Sequence, residues 1–222
     1  MIKAVIFDCD GTIVDSRHLI ISFYNWLFAE VGVPPIDVDD PEAVAFCLGL
    51  PDADVFARFA PDPGDRTRIL QRLSELDPAD FVGDLRLEPH ALEVLGELRE
   101  DYRLAIATNR GHDMTALVRH FGFDDYVQTV VTARDVASPK PSPDMLLLAA
   151  ERMDILPAEA LYVGDTDVDE QAAEAAGMEF LCYRRDLDEA TTVDFAGLPG
   201  ATHDCLSDLR QLRPYLKEHS GR

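Results

Sequence analysis

Five short runs of this chain are apolar on nearly every position, at 3–7, 103–108, 127–132, 160–164 and 179–183. A strand that is apolar on both faces needs cover on both faces, which is the condition of a parallel sheet. Between the runs lie helical patterns. Leu92, Leu95 and Leu98 share one face, and a second pattern stops at Gly122. A third opens at Ser142 as N-cap with Pro143 as first helical residue, and a fourth stops at Gly177. Strands alternating with helices predict βαβ units and a doubly wound α/β fold around a parallel sheet.

One segment interrupts this rhythm. From 17 to 86 there are only helical patterns, with Leu19, Phe23, Trp26 and Leu27 on one face and Ile69, Leu73 and Leu76 on another. Prolines at 34, 35, 51, 61 and 63 divide it. The expected organisation is a core of 1–16 and 87–222, with 17–86 inserted after the first strand as a small all-helical cap. Phe23 and Trp26 read as core residues of that cap.

The net charge of −22, from 42 acidic and 20 basic residues, excludes a nucleic-acid or anionic-membrane partner. The lysines are Lys3, Lys140 and Lys217 alone. An acidic, lysine-poor surface fits a high-salt setting and a GC-rich genome equally. No apolar run is long enough to span a bilayer, and the start has no signal-peptide pattern, so a cytoplasmic protein is expected. Cys9, Cys47, Cys182 and Cys205 are scattered, which predicts four small reduced hydrophobes and neither a disulfide framework nor a zinc site.

Ligands of open parallel sheets bind at the carboxyl ends of the strands. There the runs deliver Asp8 and Asp10 followed by Gly11, then Thr108-Asn109-Arg110, a loop with Lys140, and Asp165, Asp167 and Asp169. Converging carboxylates repel one another unless a cation neutralises them, and hard oxygen donors favour Mg²⁺. A lysine, a threonine hydroxyl and backbone N–H groups match the oxygens of a phosphoryl group. Gly11 allows the backbone to approach closely. The acids at 165, 167 and 169 fail as a calcium loop, since Glu170 and Ala176 stand where a glycine and a closing acid belong.

Four segments, "DCDGT" at 8–12, "TNR" at 108–110, Lys140 in "KPSP" and "GDTDVD" at 164–169, follow one another in an order that resembles the haloacid dehalogenase superfamily of aspartate-nucleophile phosphotransferases. The resemblance implies a Rossmann-like core with Asp8 as nucleophile and Asp10 as general acid and base. It further implies Mg²⁺ held by Asp8, Asp10 (through its carbonyl) and Asp165 with Asp169 close by. The transferring phosphoryl group would be held by Gly11, Thr108, Asn109 and Lys140. Asp167 falls at a variable position of the motif. His112 reads as a helix-start residue, and Arg110 as either a pocket or a solvated residue.

Within the superfamily, Asp10 argues against halide displacement. The absence of any lysine between Lys3 and Lys140 excludes a Schiff base on the cap. The expected activity is that of a phosphatase resembling phosphoglycolate phosphatase, acting on a small phosphorylated metabolite as a monomer or homodimer. The alternatives are a sugar-phosphate mutase, whose second phosphate would need Arg58, Arg66, Arg68 or Arg72, and a silent phosphate- or metal-binding module.

Overall fold

Ala4–Phe7 forms the first strand, β1, and every one of its residues is buried. Val5 and Phe7 pack into one apolar cluster and Ala4 and Ile6 into the other, so the strand's two-residue period feeds both faces of the sheet. The structure, a computed structural model, describes residues 1–77, 82–111, 113–185, 193–194, 202–203 and 205–219. His112 lies outside these.

A short antiparallel pair, β2 (Val14–Asp15) and β3 (Arg86–Leu87), brackets the helical segment. In the main sheet β1 is followed by β4 (Arg103–Thr108), β5 (Thr129–Thr132), β6 (Ala160–Gly164) and β7 (Glu179–Tyr183). A two-residue pair, β8 (Val193–Asp194) with β9 (Thr202–His203), precedes β10 (Cys205–Leu206). The main sheet has the order β10-β7-β6-β1-β4-β5, and its pairings are all parallel. The chain winds from β1 toward β5 and then crosses to the other side of β1. That reversal opens a crevice at the carboxyl ends of β4, β1 and β6.

Four helices occupy the stretch between β2 and β3: α1 (Arg17–Val31), α2 (Pro41–Gly49), α3 (Asp52–Phe59) and α4 (Pro63–Glu75). Asp40 and Asp62 cap α2 and α4 by accepting backbone N–H bonds, each ahead of a proline at the helix start. These helices enclose a separate apolar cluster that includes Leu27, Phe28, Val55, Phe56 and Ile69. Each such side chain contributes about 1.5–3 kcal/mol by leaving water. The sheet is covered on one face by α5 (Ala91–Leu98), α6 (Met114–Phe121) and α9 (Leu212–His219). The other face carries α7 (Asp144–Arg152) and α8 (Asp167–Ala176). Helix α7 starts after Ser142 and Pro143, because Pro143 itself takes the cap position.

The cysteine expectation needs a correction. Cys182 and Cys205 face each other in the β7–β10 register, with Cα atoms 4.4 Å apart, and form a disulfide. Cys9 and Cys47 are free and buried, as expected. A pair 23 residues apart acquires its proximity from β10, a two-residue strand too short to show any periodicity. Among the described residues no helix is long and apolar enough to cross a membrane.

Candidate active site

Every strand bordering the crevice ends in, or runs directly into, a residue with reactive chemistry. Asp8 follows β1 directly, and its backbone N–H donates to the Val163 carbonyl at 2.8 Å, fixing it against β6. The chain then turns tightly through Gly11 at φ 78°, whose N–H reaches the Val14 carbonyl at 2.8 Å. Thr108 closes β4 and is buried, its hydroxyl accepting from the Arg110 N–H. Asp165 follows β6, and Arg184 donates to its backbone carbonyl at 3.1 Å.

Lys140 is the centre of the charge arrangement. It is 3% exposed, and its Nζ donates to Asp8 Oδ1 at 2.8 Å, Asp169 Oδ1 at 2.6 Å and Tyr162 Oη at 2.7 Å. The two carboxylates share this ammonium unequally. Asp169 also accepts from the Tyr162 hydroxyl and, through Oδ2, from the Thr166 hydroxyl and N–H that cap α8. Burial opposes its charge, yet Lys140 and these donors outweigh burial and hold its carboxyl below the usual range. Asp8 has fewer donors. Burial pushes it up to about 7 against the pull of Lys140, with Asp169 and Asp10 adding to the rise.

Asp10 faces a different cation. Arg110 grips it with two N–H bonds, Nε to Oδ2 at 2.9 Å and Nη2 to Oδ1 at 2.5 Å, and reaches Asp113 with Nη1. Burial again works against the charge, but the guanidinium overcomes it and keeps Asp10 below its ordinary value. Asn109 turns its amide elsewhere. Its Nδ2 donates to the carbonyls of Lys140 and Gly49, and its Oδ1 accepts from the Lys140 N–H, all at 3.0 Å. It therefore braces the Lys140 loop and ties it to the end of α2. Asp167 is exposed on the first turn of α8.

Asp8, Asp165 and Asp169 each offer a carboxylate oxygen, and these oxygens lie within 4.8 Å of one another. Three carboxylates against one ammonium make a hard-oxygen donor set with excess negative charge, which fits a divalent cation. Two glycines create the room. A Cβ on Gly11 would lie 2.2 Å from Asp165 Oδ2, and one on Gly164 would lie 2.6 Å from Asp169 Cβ. Gly11→Ala is expected to lower the melting temperature and to weaken divalent-cation binding at these carboxylates about tenfold. Gly83→Ala, with nothing within 4 Å of the added Cβ, is the matched control and should change neither.

A cavity of about 210 Å³ spans the crevice and the underside of the helical segment, lined by Asp8, Asp10, Thr108, Arg110 and Lys140 below and by Phe23 and Trp26 above. Phe23, read from sequence as core, packs against the apolar cluster of the helical segment as well as lining the cavity, whereas Trp26, also read as core, lines the cavity and is 37% exposed. The sequence reading also missed Tyr162 and Asp113. Both sit inside patterns that otherwise read as a strand and a helix start, and their polar tips were the available signal.

The haloacid dehalogenase-like hydrolase family profile matches residues 5–183. The chain belongs to that family. This haloacid dehalogenase-like hydrolase is 31% identical over 208 residues to a protein of Nitrosospira multiformis named phosphoglycolate phosphatase, covering 86% of this chain and 87% of the relative. It is 29% identical over 234 residues to an Escherichia coli protein of the same name, covering 94% and 91%. A solved HAD-superfamily hydrolase of subfamily IA from Geobacter sulfurreducens superimposes with a TM-score of 0.70 at 32% identity, covering 97% of this chain and 96% of that one.

Proposed function

We propose that this phosphoric monoester hydrolase cleaves a small phosphomonoester through a phosphorylated Asp8. The observation that carries the reading is the buried Lys140 bridge between Asp8 and Asp169, opening onto a cavity with Asp10 on its wall. A carboxylate of Asp8 attacks phosphorus, and the ester oxygen leaves with a proton from Asp10. Asp10 then takes a proton from the water that hydrolyses the aspartyl-phosphate. Arg110 favours the ionised form of Asp10, which suits the hydrolytic half; donating a proton requires Asp10 to leave that pair. Lys140 and Thr108 line the cavity beside Asp8 and hold the phosphoryl oxygens, while Asn109 keeps the Lys140 loop in place.

Asp8, Asp165 and Asp169, with the Asp10 carbonyl, would hold a Mg²⁺ ion. When bound, it supplies positive charge against the phosphoryl oxygens and the nucleophile. In the same proposal 17–86 is a cap over a core of 1–16 and 87–222. Its closure excludes bulk water. The setting is cytoplasmic.

The mutase reading loses its cations among the described residues. Arg58 pairs with Glu42, Arg68 with Asp65 and Arg72 with Glu30, while Arg66 donates to the Ala60 and Pro61 carbonyls. None of the four lines the cavity. The test is phosphate release from a panel of phosphomonoesters, headed by the phosphoglycolate for which the relatives are named. Turnover that disappears with EDTA and returns with Mg²⁺ is the expected result. Turnover indifferent to EDTA would contradict the metal, and none from any ester would contradict the phosphatase.

A further inference from the structure

The two ends of the cavity differ in chemistry. Its floor is the charged set at the strand ends. The helical segment contributes Leu19, Ile20, Phe23, Trp26, Leu48 and Leu50, and its charged lining residues are Asp52 and Asp84. Among the described lining residues the cations are Lys140 and Arg110. Both stand at the reacting end of the cavity, Lys140 between Asp8 and Asp169 and Arg110 against Asp10 and Asp113.

We propose that the leaving group this chain accepts best is uncharged and apolar, an aryl or branched alkyl group, rather than one bearing a carboxylate. The proposal rests on the phosphatase reading above. It departs from the compound for which the relatives are named. A carboxylate at the helical end would lose its water between leucines and aromatic rings, where the described lining residues offer no cation. An apolar group would instead cover Phe23 and Trp26 and displace water from both surfaces. Asp52 also accepts from the Tyr24 hydroxyl at 2.8 Å, which holds its side chain on that wall.

The test compares benzyl phosphate with phosphoglycolate, both esters of primary alcohols, with acetyl phosphate as a small reference substrate. The kcat/KM for benzyl phosphate should be about tenfold higher or more. Leu48→Arg, which adds a cation to the apolar wall, should move the ratio toward phosphoglycolate. Should that variant fold poorly, the wild-type protein gives a second reading, because Trp26 is its single tryptophan. Benzylphosphonate should quench Trp26 fluorescence at about tenfold lower concentration than phosphonoacetate, which carries the carboxylate on the same methylene link. Faster hydrolysis of phosphoglycolate, or tighter binding of phosphonoacetate, would overturn the proposal and leave the phosphatase standing. Failure of all three compounds to yield phosphate above their uncatalysed hydrolysis would overturn both.

Discussion

Asp8→Asn is expected to lower phosphate release by on the order of 10⁴-fold or more, because no other group takes over the attack on phosphorus. The fold should survive. The amide oxygen can still accept from Lys140, which keeps its bond to Asp169. Stability also carries a sign. Burial raises the folded-state pKa of Asp8 above its ordinary 3.8, to about 7. The ionised carboxylate therefore destabilises the fold increasingly as pH rises from about 4 through 7. Asparagine lacks that penalty. In EDTA, the variant should melt at least as high as wild type at pH 8, with its relative advantage shrinking toward pH 4. A variant that loses activity together with several degrees of melting temperature at pH 8 would recast Asp8 as a structural residue.

Lys140→Met should be the most damaging single change to stability at the site. It leaves two buried carboxylates without the cation that bridges them at 2.8 and 2.6 Å. Removing one partner of a buried pair costs about 3–5 kcal/mol. For a chain of this size that corresponds to a drop of roughly 10 °C in melting temperature. The deficit depends on pH. Without Lys140, the folded-state pKa values of Asp8 and Asp169 rise, so both carry protons at low pH and the penalty is small. As pH rises through those values the carboxylates ionise and the deficit grows. Melting curves from pH 5 to 8 should therefore diverge from wild type toward the alkaline end. A small deficit that is the same at every pH would mean that the bridge contributes little to the fold.

The parts of this molecule that were legible in the sequence are those in which one residue type has one physical reason to be there. Buried parallel strands announce themselves as apolar runs, and Asp8, Thr108 and Asp165 end theirs as expected. Lys140 stood out through the rarity of lysine, and the structure brings it to Asp8 and Asp169. What could not be read arises from tertiary pairing. Strands β2, β3 and β10 have two residues each, so hydrophobic periodicity cannot mark them, and the Cys182–Cys205 bridge depends on β10. Arg110 had two readings, and only the return of its loop against Asp10 and Asp113 decides for the cavity. The resemblance places Asn109 among the residues that hold the phosphoryl group, and the folded loop turns its side-chain amide toward the Lys140 and Gly49 backbone, a partner no motif announces. Trp26 follows a helix-core pattern although it lines the cavity and is 37% exposed, since periodicity identifies a face and not what that face meets.

The covalent intermediate is the centre of this account, and chemical trapping tests it most directly. Asp10→Asn should slow hydrolysis of the aspartyl-phosphate, with turnover falling by about 10²–10⁴-fold. That variant is mixed with Mg²⁺ and acetyl phosphate, whose acetate leaves without needing a proton from residue 10, then quenched in acid and reduced with borohydride, which converts an acyl phosphate side chain to an alcohol. Peptide mass spectrometry should then find homoserine at position 8 and unmodified aspartate at 165 and 169. Phosphate release by wild-type protein with no reduced residue at position 8 in the variant would contradict the account and point to direct attack by water.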